Sequence, residues 1–237
     1  MAGEELIKRW DAYLSKLKDR YSEILAQAEE PLKEVIENLQ YDNVIIINIK
    51  TGLHNQTVLQ LYQKAEEGWE KMQAEIYKTG NLGLIKQEAA KLAIFRDSLE
   101  TEFARFETEL FARAARKILE NVKQHINEKQ IHRCTQCAAD LPINIYSFMA
   151  VNIKCDSCGA VNTYQPDDRI RALEYYVIEP LAEEYALEEK LRRGKDKAAE
   201  KEYFKKYYTY LMDNVPEKRE SYKRTLDERL NNPFFSQ

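Results

Sequence analysis

From Leu84 to Lys129 the chain has no proline and no glycine, and its apolar residues step by three or four without a break. Leu92, Phe95, Leu99, Phe103, Phe106, Leu110, Ala114, Ile118, Val122 and Ile126 fall on one stripe of a helix. At 1.5 Å per residue such a helix runs about 65–70 Å, longer than a small domain is wide. It therefore needs other long helices to cover its stripe. Glycine occurs only seven times and proline six in 237 residues, too few for the tight turns of a sandwich or barrel. The expectation is a mainly α protein: an elongated antiparallel helical bundle or coiled-coil-like stalk.

The rest of the chain supplies candidate partners. Leu6, Trp10, Tyr13, Leu14, Leu17, Tyr21, Ile24 and Leu25 recur at helical spacing, which predicts a helix over 4–30. Pro31 is read as the start of a new helix carrying Leu32, Val35, Ile36 and Leu39. The run Val44–Ile49 is β-branched, which favours a strand, but no partner strand is evident nearby. Helix is the preferred reading, as a continuation of the 31–50 segment stopped by Gly52. Asn55 is read as the cap of a helix to about Lys78, with Gly80 and Gly83 at the following turn. Beyond residue 166, Asp167 and Asp168 are read as caps and Pro180 as a kink or division. Gly194 closes that segment, and Pro216 separates two further helices.

All four cysteines lie in one short segment, as Cys134/Cys137 and Cys155/Cys158. Each pair is C-x-x-C, and seventeen residues separate the pairs. A C-x-x-C turn aims both sulfurs at one spot, and two such turns make the four-thiolate shell that Zn²⁺ prefers. Structural zinc on Cys134, Cys137, Cys155 and Cys158 is the favoured reading. A pair of redox dithiols, an iron centre in the same sulfur shell and two local disulfides are the alternatives. A redox dithiol usually stands alone at a helix start after a strand, and neither pair has that setting. The stretches "KQIHR" and "AVNIK" precede the two pairs, and "AVNTYQ" follows the second, each with β-prone alternation.

Residues 130–166 thus resemble a zinc ribbon, two knuckles on short antiparallel strands. The second knuckle, "CDSCGA", matches the usual pattern, with Gly159 free to take a positive φ. The first, "CTQCAA", has Ala138 where glycine is usual and Thr135 where proline is frequent. Arg133 and Lys154 each precede the first cysteine of a pair. There they either offset the net −2 charge of a zinc tetrathiolate or serve as ordinary surface residues. His132 is read as a strand residue rather than a ligand. The division expected is 1–129 helical, 130–166 the ribbon, and 167–237 helical, packing back on the first part.

Function is less constrained. A four-cysteine shell is closed, whereas a catalytic zinc keeps a position for water. No H-E-x-x-H, P-loop or G-x-G-x-x-G pattern occurs, the three histidines are scattered, and no small-molecule site is evident. The reading is non-enzymatic. No run reaches the roughly 18 apolar residues of a membrane span, and the acidic start lacks a signal core, so a cytoplasmic protein without a membrane partner is expected. Residues 190–229 carry thirteen Lys/Arg against eight Asp/Glu, while the remainder of the chain is acidic. The stretch "YFKKYYTY" can stack bases and hold phosphates, or pack its rings and leave its lysines solvated. The second alternative is preferred, because the chain as a whole is acidic. The favoured function is a zinc-stapled helical scaffold or adaptor that binds another protein or a second copy. Nucleic-acid binding through the ribbon and the basic helices is the alternative, and a thiol switch that releases zinc on oxidation is the third. Tyr146, Phe148 and Met149, between the knuckles, are read as a docking patch or as residues packed on the helix near Asp168.

Overall fold

The computed structural model describes residues 2–80, 82–129, 132–141, 150–165 and 173–231. It is mainly α with a small two-stranded antiparallel insert beside the cysteines. Helix α1 spans Ala2–Glu37, α2 Val44–His54, α3 Gln60–Thr79 and α4 Gly83–Lys129. Strands β1, Val151–Lys154, and β2, Val161–Tyr164, follow. The chain then returns to helix with α5, Glu179–Tyr185, α6, Leu187–Arg192, α7, Lys197–Asn214, and α8, Arg219–Leu230.

The unbroken apolar stripe does produce one long helix, α4. Other expectations need correction. Pro31 does not start a new helix; it lies inside α1. Its fixed φ suits a helix, and it forfeits one backbone hydrogen bond. Leu32 and Ile36, buried just beyond it, give continued helix an apolar return. The Val44–Ile49 run is helical, but it begins a separate helix, because the Asp42 side chain accepts the Val44 N–H at 3.1 Å. Gly52 sits within α2 and stops nothing. Asn55 caps nothing either: Asn55–Leu59 form a π-turn that joins α2 directly to α3. Gly80 does close α3, in the left-handed region with φ 71°.

The chain divides into two compact units. The first comprises residues 1–35 and 45–107, in which α1, the α2–α3 rod and the first half of α4 pack together. Leu6 and Trp10 meet Met72 and Ile76, while Leu17 and Tyr21 meet Val58, Leu61, Ala65, Phe95, Leu99 and Phe103. Residue numbers thus rise along α1 as they fall along the rod, so these two run antiparallel. Asp11–Lys91 at 2.6 Å and Lys18–Glu102 at 2.5 Å show that α1 and α4 run parallel. Gly68 permits the close approach of rod and α1: a Cβ there would stand 2.4 Å from the Tyr13 ring.

The second unit comprises residues 36–44 and 108–237. Asn121 donates to the carbonyls of Leu39 and Gln40 at 2.6 and 2.9 Å, satisfying acceptors just past the end of α1. Leu110, Ala114, Ile118 and Val122 continue the buried face of α4 here. The expected interruption at Pro180 takes another form. Glu174–Ile178 make a π-turn, and Glu179 N–H donates to Glu174 O just ahead of the residue that has no N–H to give. The helix actually breaks at Ala186, and Gly194 (φ 84°) ends α6 as expected. Asp196 caps α7 by accepting the Ala198 N–H at 2.8 Å, and α7 and α8 part at Pro216. Asp167, Asp168 and the tail 232–237 lie outside the described residues.

Candidate metal centre

Each cysteine pair sits in a turn of the same construction. In the first, Cys134 N–H donates to Ala139 O at 2.8 Å and Ala138 N–H to Cys134 O at 2.9 Å. In the second, Cys155 N–H donates to Ala160 O and Gly159 N–H to Cys155 O, both at 2.8 Å. Both turns close with a left-handed residue, Gly159 at φ 73° and Ala138 at φ 60°. Ala138 therefore adopts the glycine conformation despite its Cβ, at a cost of about 1–2 kcal/mol.

The turns differ in what carries them. Strands β1 and β2 flank the second, with Val151 opposite Tyr164 and Lys154 opposite Val161. Among the described residues, the first is flanked by an antiparallel bridge, Arg133 with Asp140, extended by Leu141 N–H donating to His132 O at 2.8 Å.

This construction brings the four sulfurs within 4.8 Å of one another. Cys134 Sγ is 3.5 Å from Cys158 Sγ, and Cys137 Sγ is 3.6 Å from Cys155 Sγ. All four thiols are free. A disulfide would bring sulfurs to about 2.05 Å, whereas a tetrahedron with metal–sulfur bonds of about 2.3 Å has edges of about 3.8 Å. The sulfur set fits one tetrahedral ion.

The environment also favours thiolates. Cys134 and Cys155 are buried, while Cys137 and Cys158 are exposed. Amide hydrogen bonds from Cys137 and Gln136 draw the Cys134 thiol down to about 6, against the opposing effect of burial. The Cys158 and Ser157 amides lower Cys155 in the same way. Cys158 accepts from the Ala160 amide, but its thiol neighbours, Cys137 first, push it up to about 12. The turn amides thus favour the thiolate at Cys134 and Cys155, while neighbouring thiols disfavour it at Cys158.

Arg133 forms an exposed ion pair with Asp140 at 3.6 Å. Lys154 is exposed and lays its stem over the second turn, its Cε 3.8 Å from where a Gly159 Cβ would stand. His132 packs its ring edge against Tyr164, centroids 4.6 Å apart, and burial lowers its pKa. Tyr146, Phe148 and Met149 lie outside the described residues.

Asn162 is the residue that sequence reasoning passed over. It is buried on β2 and reaches across to the first turn. Its Oδ1 accepts the Thr135 N–H at 2.9 Å and the Thr135 hydroxyl at 3.0 Å. Its Nδ2 donates to Cys134 Sγ at 3.6 Å and to Ala160 O at 3.2 Å. The signal was present in "VNTY", whose alternation puts an amide on the same buried face as Tyr164.

The basic aromatic stretch has a different fate. Tyr203 and Phe204 are buried with Ala186, and Tyr207 and Tyr208 pack against them. Lys206 pairs with Glu189 at 2.8 Å and Lys205 with Glu202 at 3.5 Å. No helix among the described residues is long and apolar enough to cross a membrane. The chain matches no known family model, no curated protein and no solved structure.

Proposed function

We propose that this chain is a non-enzymatic helical scaffold or adaptor stapled by one structural Zn²⁺ on Cys134, Cys137, Cys155 and Cys158. The observation that carries the reading is the closed set of four sulfurs within 4.8 Å, supplied two by two from matching turns. Zinc suits that set because it takes thiolates tetrahedrally without a redox change. When bound, it supplies the cross-link that a segment with so little apolar interior lacks. The chain's own residues do the rest. The turn amides favour the thiolate form of Cys134 and Cys155, and Arg133 and Lys154 bring positive charge beside a centre of net −2.

The adaptor part of the reading is supported by surface left apolar on the rod, where Ile45, Ile47 and Leu59 are each 42–50% exposed. Nucleic-acid binding is the less favoured reading, since stacking needs free aromatic faces and the rings of Tyr203 and Phe204 are spent on the core. The test is cross-linking mass spectrometry of the tagged chain in its own host, beside Cys155→Ser. A scaffold gives the same protein cross-links in repeated captures, resistant to nuclease. Links to nucleic acid, or turnover of a substrate by the purified chain, would contradict it.

A further inference from the structure

We propose that Asn162 is a positioning residue that locks the first knuckle in its metal-ready form and slows loss of the ion from Cys134. The proposal rests on the metal reading above. Its ground is an asymmetry between two otherwise matching turns. Shifting the first knuckle by 21 positions lays Cys134 on Cys155, Cys137 on Cys158, Ala138 on Gly159 and Leu141 on Asn162. Among the described residues, the second knuckle has a paired hairpin beneath it, and the first shows one bridge and a left-handed alanine. Leu141 has no side-chain donor or acceptor, so nothing at the matching place serves Cys155 as Asn162 serves Cys134.

Asn162 ties the first turn to the second. Its carbonyl oxygen holds Thr135 through both the amide and the hydroxyl, and this fixes the residue after the first ligand. Its amide nitrogen points a donor at the Cys134 sulfur. A side chain that accepts from one group and donates to the next cannot be replaced by an apolar isostere without orphaning the Thr135 N–H. An N–H···S bond also lowers the energy of the sulfur lone pair, so it acts on the metal–sulfur bond electronically as well as by placement. The contact to Cys134 is buried, which keeps water from substituting for it.

The test compares wild type, Asn162→Leu and Thr135→Val as full chains, with Zn²⁺ and with Co²⁺ as a spectroscopic stand-in. Three quantities are read: ion uptake, the rate of release to a chromophoric chelator, and the energy of the sulfur-to-cobalt charge-transfer band. N162L should take up one ion, release it about tenfold faster, as loss of a hydrogen bond to a charged acceptor implies, and show the band at lower energy. T135V loses only the hydroxyl contact and should release about two- to threefold faster, with the band unmoved. A residue that merely supports the fold would leave the band of N162L where it was. Unchanged release in N162L, or an unshifted band, overturns the proposal. Should N162L fail to bind any ion, unchanged release in T135V overturns it. Amide exchange in metal-free protein separates this proposal from the metal reading. Wild type that binds no ion defeats the metal reading, and an equally exchanging Thr135 amide in wild type and N162L defeats the lock.

Discussion

Leu99 and Phe103 are sealed by side chains from α1 and the α2–α3 rod, whereas Cys134 and Cys155 are sealed by the backbone of their own turns. The first region is held by apolar area, spread over many residues that each contribute a few kcal/mol. Among its described residues the second has four residue pairs of sheet, one isolated bridge and almost no apolar interior. Its order is concentrated in four sulfurs and one asparagine. Distributed burial degrades gradually when a residue is lost. A four-sulfur site weakens sharply when one ligand goes, because the remaining three leave the shell open to water.

The largest expected effect follows from that contrast. On the proposed zinc reading, a strong chelator removes an apparent ~10–16 kcal/mol of binding energy from the segment around the four cysteines, and replacing Cys155 with serine removes a large part of it. Hydrogen exchange should rise over 132–141 and 150–165, while far-UV circular dichroism loses little of its helical signal. Collapse of the helical signal would mean that the two regions share one source of stability.

The converse change is Leu99→Ala. Leu99 is fully buried in the first unit, so truncation should cost about 2–5 kcal/mol in a chemical melt. Chelator-driven metal release should be unaltered. A faster release in L99A would break the comparison.

A smaller effect lies in the second unit, where pH acts on a helical site that does not involve the sulfurs. Burial, then the charges of Glu174 and Glu183, raise Glu179 from 4.5 to about 7, with Lys218 opposing. The folded state therefore binds a proton more readily than the unfolded chain between those values. Stability should fall as pH rises from about 4.5 to 7 and level off above. Because the carboxylate is only half-buried, solvent screening limits the loss to about 1 kcal/mol. Glu179→Gln should flatten this part of the pH profile; an unchanged slope in E179Q would place the titration elsewhere.

Much of this architecture is legible in the residues. The stripe from Leu92 to Ile126 allows nothing but a long helix, and two C-x-x-C pairs announce a four-sulfur site. Periodicity fails where a local punctuation mark is overruled. Pro31 and Gly52 look like boundaries but lie inside helices, because flanking apolar residues continue to find cover. Asn55 and Pro180 are each met by a π-turn, a hydrogen-bond shift that leaves no pattern in residue type. Asn162 escaped notice for another reason. Its role depends on a partner 27 positions away, and only the folded pairing of the two turns brings Thr135 to it.

The smallest effect sharpens the difference between the two turns. Ala138→Gly relieves a left-handed alanine at the cost of a looser unfolded chain, for a net gain of about 0.5 kcal/mol. Gly159→Ala introduces the same strain and should lose about 1 kcal/mol. Metal affinity measured by competition should therefore rise slightly in A138G and fall in G159A. Unchanged affinity in both variants would show that the left-handed residues carry no strain.

The central claim is that the four cysteines bind one ion as a closed shell. Elemental analysis of the purified, fully reduced chain, read beside a thiol count, tests it most directly. The account predicts one zinc per chain, four thiols protected from alkylation until a chelator is added, and metal lost far more readily from C155S. Four freely reactive thiols with no metal, or a disulfide within either pair in protein kept reduced, would contradict it.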